Sequence, residues 1–357
     1  MRIVFLGLSI TSSWGNGHAT TYRGLVRELD RLGHEVWFLE RDAPWYAANR
    51  DLPEPPFGHT RLYGSLEELR DAYRGLVRDA DLVVAGSYVP DGIAVGEWVT
   101  ATAQGLTAFY DIDTPVTLTK VAAGECEYLT PSLIARYEFY LSFTGGPTLQ
   151  FLEQQYKAPR ARPLYCSVDP EQYFPEPDAT ARYDLGYMGT YSEDRQPPLD
   201  RLLIQPACLW REGRFIVAGP QYPPSIAWPP NVRRIEHLPP AKHREFYTSQ
   251  RFTLNITRAD MVRAGWSPSV RLFEAAACAV PIVSDPWPGL GEIFEIGREL
   301  LVAERPEDVL TYLQDLPEED ARAIGEAGRQ RVLASHTAAH RARELESYAA
   351  ELLEVSP

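Results

Sequence analysis

The residues best suited to chemistry lie in the second half of the chain, where arginines surround the start of a helix. Arg258 follows a predicted strand at 252–256, Ser269 can cap the next helix, and Arg271 and Glu274 lie in its first turns. A helix N-terminus carries partial positive charge and, together with arginines, favours a diphosphate, while Glu274 can accept hydrogen bonds from ribose hydroxyls. The alternative is a surface pair between Arg271 and Glu274 at i,i+3. We favour the diphosphate site because the helix is strongly apolar and a further sheet strand follows it.

A second loop with similar chemistry follows the predicted strand at 185–188. Gly189 allows backbone amides to face an anion, Thr190 adds a hydroxyl donor, and Arg195 supplies a fixed positive charge within one turn. From these residues alone, a structural turn with a surface arginine is nearly as good an interpretation. We predict that Gly189, Thr190 and Arg195 contact the same anionic ligand as the arginine segment.

The first half of the chain carries candidate groups for a second substrate. Gly15, Asn16 and Gly17 form a loop between the first strand and a helix, and His18 opens that helix. The glycines allow a substrate to approach the backbone closely, and histidine can serve as a general base near neutral pH. Asp113 follows a later strand and is a second candidate base, although an acid at this position is often only a helix cap.

Two features of the first half of the chain would also fit a different ligand, a dinucleotide such as NAD. The glycine-bearing loop has the right place for a phosphate loop, and Glu40 closes the second strand, where an acid can bind a ribose. However, Thr20 stands where the third glycine of the dinucleotide fingerprint belongs. A tight turn with a polar helix start is the third interpretation of this loop.

Composition excludes several classes of protein. The chain has 357 residues, 45% of them hydrophobic, and a net charge of −14, which predicts about two globular domains and argues against nucleic-acid binding through a broad basic surface. The longest apolar run, 275–283, is too short to span a bilayer, and residues 3–10 fit a buried strand better than a secretory signal. The four cysteines lack CxxC spacing, which favours a cytoplasmic protein, and no cluster has the spacing of a metal site.

Alternating strand and helix signals predict two doubly wound parallel α/β domains, which would position these residues at strand ends. The predicted strands are six in the first half, at 3–8, 36–39, 82–85, 106–110, 139–143 and 163–166, and five in the second, at 185–188, 215–218, 252–256, 281–284 and 300–303. We predict a first domain at 1–167, a proline-rich acidic linker at 168–182, a second domain at 183–335 and a helical segment at 336–357. Because parallel sheets bind ligands beyond the carboxyl ends of their strands, we expect the site in a cleft between facing domains.

Several segments resemble those of a known family. The chain resembles GT-B glycosyltransferases, and in particular the CgeB-type group that carries the name spore maturation protein. The resemblance lies in Ser-Ser-Trp-Gly-Asn-Gly-His-Ala-Thr-Thr-Tyr-Arg at 12–23, in Val168-Asp169 with Tyr173-Phe174-Pro175, and in Pro268-Ser-Val-Arg-Leu-Phe-Glu-Ala-Ala-Ala-Cys with Pro281 and Ser284-Asp285. The last of these segments is similar to the nucleotide-sugar signature of family-4-like transferases.

The resemblance implies two Rossmann-like domains and transfer of a hexose from a nucleotide-diphosphate sugar to an acceptor hydroxyl, without a metal or cofactor. It places the ribose-binding glutamate at Glu274, the phosphate-facing loop at Thr190 and Arg258 near the diphosphate, and it implies that 336–357 packs back on the first domain. Many family-4 enzymes have a further glutamate eight residues before the ribose one, where this chain has Trp266. This departure leaves the sugar and the stereochemistry open.

Within this resemblance, His18 or Asp113 would deprotonate the acceptor if the anomeric centre is inverted, and both would orient substrates if it is retained. Two other activities remain open, a nucleotide-sugar epimerase or hydrolase on the same scaffold and a non-catalytic nucleotide- or glycan-binding protein. A dehydrogenase is disfavoured by the missing glycine and by the arginine-rich second half. The sequence does not specify the donor base, the acceptor or the oligomeric state.

Overall fold

Two parallel sheets organise the chain in the computed structural model, which describes residues 1–14, 17–176 and 181–353. Contacts divide the chain into two units, the first made of Met1–Ser167 with the C-terminal segment from Ala338, the second of Val168–Thr337. Both units are α/β, so the predicted fold class is confirmed. Residues 177–180 of the predicted linker lie outside the described part of the chain.

Unit 1 contains a seven-stranded parallel sheet in the order β3-β2-β1-β4-β5-β6-β7. Its strands are β1 Arg2–Gly7, β2 Glu35–Arg41, β3 His59–Tyr63, β4 Leu82–Gly86, β5 Leu106–Asp111, β6 Phe139–Ser142 and β7 Ala161–Pro163. Its helices are α1 His18–Arg31, α2 Pro44–Ala47, α3 Leu66–Arg78, α4 Gly92–Thr102, α5 Thr114–Ala123, α6 Pro131–Ile134, α7 Pro147–Gln155 and, after unit 2, α16 Ala338–Leu353.

The core of unit 1 follows from the unbroken apolar run of β1. Ile3 and Phe5 face one side of the sheet and pack with Leu25 and Leu29 of α1, which repeat at helical spacing. The C-terminal helix α16 packs on α1, with Ala342 and other apolar residues in the same cluster. Tyr348 of α16 also donates a hydrogen bond of 3.0 Å to the carbonyl of Pro163.

Unit 2 contains a six-stranded parallel sheet in the order β10-β9-β8-β11-β12-β13. Its strands are β8 Tyr183–Met188, β9 Phe215–Ala218, β10 Val232–Ile235, β11 Gln250–Asn255, β12 Ile282–Ser284 and β13 Leu301–Val302. Its helices are α8 Gln196–Leu199, α9 Gln205–Leu209, α10 His243–Thr248, α11 Ala259–Ala264, α12 Val270–Ala277, α13 Leu290–Ile293, α14 Pro306–Gln314 and α15 Glu318–Ser335. A π-helical turn at Asp200–Ile204 joins α8 to α9, and a 3₁₀ turn at Pro240–Lys242 precedes α10.

The sequence prediction missed one strand in each sheet and misplaced another. Both missed strands, β3 and β10, are edge strands, and their sequences, His-Thr-Arg-Leu-Tyr and Val-Arg-Arg-Ile, contain arginines and no continuous apolar run. An edge strand contacts the sheet on one side only and so tolerates charge. The strand predicted at 163–166 is β7, which lies earlier at Ala161–Pro163.

Helix length and apolarity give one further result. Over the described ranges, none of the helices has the length and hydrophobicity that a membrane span requires.

Candidate functional site

In both sheets the strand order reverses at one point, and several of the predicted site residues follow the strands at that point. The chain adds strands in one direction from β1 and in the other from β4, and it does the same at β8 and β11. Loops that leave the carboxyl ends of two such strands diverge and form a crevice, which is the usual ligand position in open α/β sheets. His18 follows β1, whereas Gly189 and Arg258 follow β8 and β11.

The loop after β8 is held by its own hydrogen bonds. The amide of Gly189 donates to the carbonyl of Ala218 at 2.8 Å, and the Gly189 carbonyl accepts from the Tyr222 hydroxyl at 3.0 Å. Gly219 (φ +148°) approaches so closely that a Cβ there would lie 1.9 Å from the Gly189 oxygen. Gly189 therefore permits a close approach of backbones, while its own amide is already used. Thr190 is exposed at the tip of this loop.

Arg195 is buried, and its charge lies close to two other arginines. Its Nε donates to the Ser192 hydroxyl at 2.8 Å and its Nη2 to the Thr190 carbonyl at 2.6 Å, so the side chain fixes the loop that it closes. Burial is the main cause that lowers the pKa of Arg195, and the charges of Arg271 and Arg258 lower it further. The structure thus brings together the three arginines that the sequence singled out.

Arg258 and Arg271 are placed by two neighbouring helices. Arg258 is exposed and precedes α11, whose first amide, that of Ala259, donates to Asp194 at 2.8 Å. Ser269 caps α12 as predicted, accepting from the Arg271 amide and, at 3.2 Å, from its guanidinium. Over the described ranges, neither Arg258 nor Arg271 forms an ion pair with a carboxylate. The surface pairing of Arg271 with Glu274, the alternative left open above, is not formed.

Glu274 lies inside unit 2, only 6% exposed. Its carboxylate accepts a hydrogen bond of 3.0 Å from the Tyr247 hydroxyl. Burial raises the pKa of Glu274 to about 7, against the opposing effects of the Tyr173 and Tyr247 hydroxyls and of Arg271. A carboxyl group that is half ionised near neutral pH can accept hydrogen bonds from hydroxyls more strongly as it loses its proton.

The loop that carries Arg258 is fastened to the next strand by a buried acid. Asp285, at the end of β12, accepts from the Thr257 amide at 3.1 Å and from the Thr257 hydroxyl at 2.9 Å. Burial raises the pKa of Asp285 to about 6. Since Thr257 directly precedes Arg258, Asp285 fixes the direction in which the arginine leaves the sheet.

Trp266 occupies a strained position between α11 and α12. Its φ is +43°, which is rare for a bulky residue, and its amide donates to the Pro288 carbonyl at 2.7 Å. The indole lies over Gly289, where a Cβ would be 2.5 Å from its Cγ. The tryptophan that departs from the family-4 pattern is therefore a fixed, partly exposed aromatic surface.

In unit 1, the loop after β1 is anchored by Glu40. The Glu40 carboxylate is fully buried and accepts from the hydroxyls of Ser9 and Thr11 at 2.9 and 2.6 Å and from the amides of Ile10 and Thr11 at 2.7 and 3.0 Å. These internal contacts occupy the acid that a dinucleotide would need for its ribose. Gly15 and Asn16 lie outside the described residues, and Gly17 directly precedes α1.

His18 and Asp113 are joined through a residue that the sequence prediction missed. The Tyr88 hydroxyl donates to Asp113 Oδ2 at 3.0 Å, and the Tyr88 ring meets the His18 imidazole edge-on with 5.4 Å between centroids. Burial lowers the pKa of His18 to about 4, so the imidazole is neutral at pH 7. Asp113 precedes α5 but makes no side-chain cap, which removes the interpretation of this acid as a helix cap.

A second acid, Asp111, binds the backbone of the loop that carries Asp113. It is fully buried, accepts from Tyr140 at 2.5 Å and Thr117 at 2.7 Å, and also accepts from the Asp113 amide at 3.2 Å. Burial raises the pKa of Asp111 to about 6. This carboxyl group is enclosed by the protein and acts by holding the loop that carries Asp113.

Residues suited to metal binding are dispersed. In the part of the chain that the structure describes, His, Cys, Asp and Glu form no group of three or more that could hold a metal ion. All four cysteines are free thiols.

Comparison with known proteins concerns the fold and one segment of the chain. Residues 195–347 match the model of a family described as Glycosyl transferase-like. No protein of curated function is detectably similar in sequence. The fold matches sucrose-phosphate synthase from Thermosynechococcus elongatus (14% identity, TM-score 0.70, all of both chains). It also matches Anabaena HepE in complex with UDP and glucose (13%, 0.72, 98% of this chain and all of the other) and a glycosyltransferase from Rickettsia africae (12%, 0.69, 99% of both).

The chain has the GT-B fold. The segment that matches the Glycosyl transferase-like family model contains Arg195, Arg258 and Glu274. The two parallel sheets found in unit 1 and unit 2 are those of this fold.

Three residues that bind or hold the candidate residues were not predicted as site residues, although Asp285 was part of the family resemblance. Tyr88 follows β4, Asp285 follows β12 and Tyr247 lies in α10. The first two could have been found by applying to every predicted strand the rule that picked Asp113, namely that polar residues just beyond a carboxyl end face the crevice. Tyr247 carries no such signal, because its contact with Glu274 spans 27 residues of sequence.

Proposed function

We propose that this protein is a glycosyltransferase that moves a hexose from a nucleoside diphosphate sugar to an acceptor hydroxyl, without a bound metal ion. One observation carries the proposal. Arg258 and Arg271 both lie close enough to Arg195 to lower its pKa, and neither Arg258 nor Arg271 has an ion-paired carboxylate within the described ranges. In a chain of net charge −14, an arginine cluster with few direct ion pairs beside a helix start suits an anion such as a diphosphate.

The same cluster suits the chemistry of glycosyl transfer. As the bond between the sugar and the diphosphate breaks, negative charge grows on the leaving phosphate. Arginines and the amino end of α12 would stabilise that negative charge more in the transition state than in the ground state, and so lower the activation barrier. Glu274, close to Arg271 in the same helix, would accept hydrogen bonds from the ribose.

The solved structures support a uridine nucleotide as the first donor to test. Anabaena HepE, which has the same fold, has been crystallised with UDP and with UDP-glucose. Unit 1 would then provide the acceptor side through His18, Asp113 and the loop at Gly15, Asn16 and Gly17. If the anomeric centre is inverted, His18 or Asp113 takes the acceptor proton.

Two finer assignments belong to the same proposal. The segments at 12–23 and 268–278 support membership of the CgeB-type group, and the spacing of the cysteines supports a cytoplasmic location. Both assignments rest on sequence patterns.

The direct test is a thermal-shift panel of UDP, GDP, TDP, ADP, their glucose conjugates and NAD. We expect one diphosphate class to raise Tm by several degrees, since a ligand at about 100 times its Kd adds about 2.7 kcal/mol. Arg271→Ala should remove the shift and Arg263→Ala should keep it, because Arg263 is exposed and paired with Asp260. Stabilisation by NAD alone would contradict the transferase, and silence across the panel would favour a protein that binds no nucleotide.

A further inference from the structure

The carboxylate of Glu274 is bound by two tyrosines that belong to different parts of unit 2. Tyr247 of α10 donates its hydroxyl to Glu274 Oε2 at 3.0 Å. The hydroxyl of Tyr173 hydrogen-bonds the same carboxyl group from the segment 168–176, which precedes β8. The two tyrosine rings lie next to each other, with 6.5 Å between their centroids. Tyr173 is therefore a neighbour of Glu274 to which the proposed function gives no role.

The segment 168–176 is fixed at its start to the helix that carries Glu274. Val168 donates its amide to the His336 carbonyl at 3.1 Å, and the His336 ring stacks on Phe273 with 4.7 Å between centroids. Phe273 directly precedes Glu274 in α12. The backbone that leads to Tyr173 is thus tied to α12 within unit 2.

The end of the same segment is fixed to α10. The guanidinium of Arg244 lies 4.0 Å from the centroid of the Phe174 ring and forms an ion pair of 2.9 Å with Glu176. Tyr173 itself is 7% exposed, and its hydroxyl oxygen lies 3.4 Å from Nδ1 of His243. Because the chain is held on both sides of Tyr173, the fold of unit 2 sets the position of its hydroxyl.

Two acceptors lie near the hydroxyl proton of Tyr173, and the carboxylate is the stronger one. His243 Nε2 lies 3.3 Å from the Leu238 carbonyl, which can only accept, so Nε2 carries the proton of the neutral ring and Nδ1 is an acceptor. The distance of 3.4 Å from Nδ1 to Tyr173 is long for a hydrogen bond. Since hydrogen bonds to ionised groups are the stronger ones, the Tyr173 proton is directed to Glu274.

We propose that Tyr173 is a positioning residue for the nucleotide, because together with Tyr247 it holds the Glu274 carboxylate ionised and oriented to accept hydrogen bonds from the ribose. This inference rests on the proposed function. A carboxylate can accept about four hydrogen bonds, and the two tyrosines supply two, so ribose hydroxyls can add to them. Both donors favour the charged form of a carboxyl group that burial disfavours.

The groups around Glu274 act on its ionisation in opposing directions. Burial has the larger effect and raises the pKa of Glu274 to about 7, whereas the two tyrosine hydroxyls and Arg271 lower it. Both tyrosines keep their own protons, because burial raises the pKa of each hydroxyl far above neutrality. Cys278, at the end of α12, is a neutral thiol for the same reason. Burial lowers the pKa of His243, so this ring is neutral at pH 7.

Three further charged groups lie on the segment 168–176 and on α10. Asp169 raises the pKa of the Tyr173 hydroxyl and so helps to keep this donor protonated. Arg244 and Glu176 form an ion pair and act in opposite directions on the Cys278 thiol. The titration expected near neutral pH is therefore that of Glu274.

The test is the affinity of the full chain for UDP-glucose between pH 6 and 8.5, measured by calorimetric titration. Tyr173→Phe removes the hydroxyl and retains the ring. Loss of one hydrogen bond to a charged group should move the pH at which the affinity falls upward by about one pH unit. We therefore expect the variant to bind UDP-glucose about fivefold more weakly than the unmodified protein at pH 7, and within about twofold of it at pH 8.5.

Tyr312→Phe provides the matched control. Tyr312 of α14, also in unit 2, donates its hydroxyl to the Val302 carbonyl at 2.9 Å, so this substitution likewise removes one hydrogen bond of a tyrosine. It should change neither the affinity for UDP-glucose nor its dependence on pH. Equal effects of the two substitutions, or a loss of affinity in Tyr173→Phe that is the same at every pH, would show a general structural role and would overturn the inference.

A double variant separates an effect through Glu274 from a direct effect on the nucleotide. In a Glu274→Gln background there is no carboxylate to ionise, so adding Tyr173→Phe should change the affinity less than about twofold at any pH. Additive losses, or a wild-type pH profile in Tyr173→Phe, would overturn the inference and leave the proposed function intact. If the unmodified protein binds no UDP-glucose at any pH, the proposed function fails and the inference fails with it.

Discussion

The carboxyl ends of the two sheets share a topology but differ in how their polar groups are satisfied. In unit 1, Tyr88 binds Asp113, and Asp111 binds Tyr140 and Thr117, so the acids are paired with neutral donors. In unit 2, Arg258 and Arg271 both lie near Arg195, and neither forms an ion pair with a carboxylate among the described residues. The acids of one end are thus bound by neutral donors, whereas two arginines of the other end lack a direct ion pair.

The difference shows that the fold supplies the position of a site but not its chemistry. Each sheet reverses strand order once, and in each sheet loops at or next to that point carry candidate residues. The chemistry comes from a few side chains in those loops, which is why one scaffold can host unrelated activities. We infer from the contrast that unit 2 binds the anionic diphosphate and that unit 1 accepts the proton of the acceptor.

The strongest test of this division measures the turnover of UDP-glucose and the affinity for UDP separately. Asp113→Asn should lower turnover of UDP-glucose by about a hundredfold to a thousandfold, the usual effect of losing a general base, and should leave UDP affinity within about twofold. Arg271→Ala should weaken UDP binding by about thirtyfold, or about 2 kcal/mol, the loss of one charged hydrogen bond. Calorimetric titration with UDP and initial-rate kinetics measure the two quantities independently.

A control for both measurements is available in unit 2. Arg263→Ala removes an exposed arginine of α11 that is paired with Asp260, and it should alter neither quantity. If Asp113→Asn weakened UDP binding as much as Arg271→Ala does, the assignment of different tasks to the two units would be wrong.

Much of the fold was predictable because the central strands are buried on both faces. β1 and β4 are unbroken apolar runs, and the rule that such runs form central parallel strands located them within one residue. The edge strands β3 and β10 carry charges that only a solvent-facing edge tolerates. Their position at the edge is a property of the assembled sheet, and no local pattern reveals it.

The site residues were predictable only where their contacts are with residues nearby in the sequence. Ser269 caps α12 because the capping residue and the helix are adjacent. The pairing of Tyr88 with Asp113, 25 residues apart, depends on the order of strands in the sheet. The hydrogen bonds by which Tyr247 and Tyr173 lower the pKa of Glu274, against the effect of burial, likewise require the folded unit, because both tyrosines are distant from α12 in sequence.

A substitution at a closely packed glycine tests the loop at the carboxyl end of the sheet in unit 2. Gly219→Ala would place a Cβ 1.9 Å from the Gly189 oxygen and should therefore reduce the free energy of unfolding by about 3 kcal/mol. Because Gly189 leads into Thr190, we also expect weaker UDP binding. Chemical denaturation, followed by titration of the folded fraction, measures both effects.

Gly33→Ala is the matched control for that experiment. Gly33 also has a positive φ, +86°, but a Cβ there would meet no atom within 4 Å. Only the left-handed backbone is then strained, at about 1 to 2 kcal/mol. Similar losses of stability in the two variants would mean that the close approach of Gly219 to Gly189 has no role in shaping the loop.

The smallest expected effect concerns Glu274, the buried acid that lies in the same helix as Arg271. Glu274 has a pKa of about 7 in the free protein, and ribose hydroxyls that donate to it would favour the ionised form and lower that pKa on binding. Binding then releases a proton, so affinity should fall as pH drops from 8 to 6, by up to about tenfold. UDP-glucose is the suitable ligand, because its diphosphate diester does not titrate in this range.

Glu274→Gln removes the titration while retaining an oxygen that accepts from Tyr247. The variant should bind UDP-glucose about as weakly at pH 8 as the unmodified protein does at pH 6, with no dependence on pH in between. Substitution by alanine is less informative, since it would leave the buried Tyr247 hydroxyl without its acceptor and destabilise unit 2. If the unmodified protein shows a flat profile, Glu274 does not contact the nucleotide, and the anion site consists of the arginines alone.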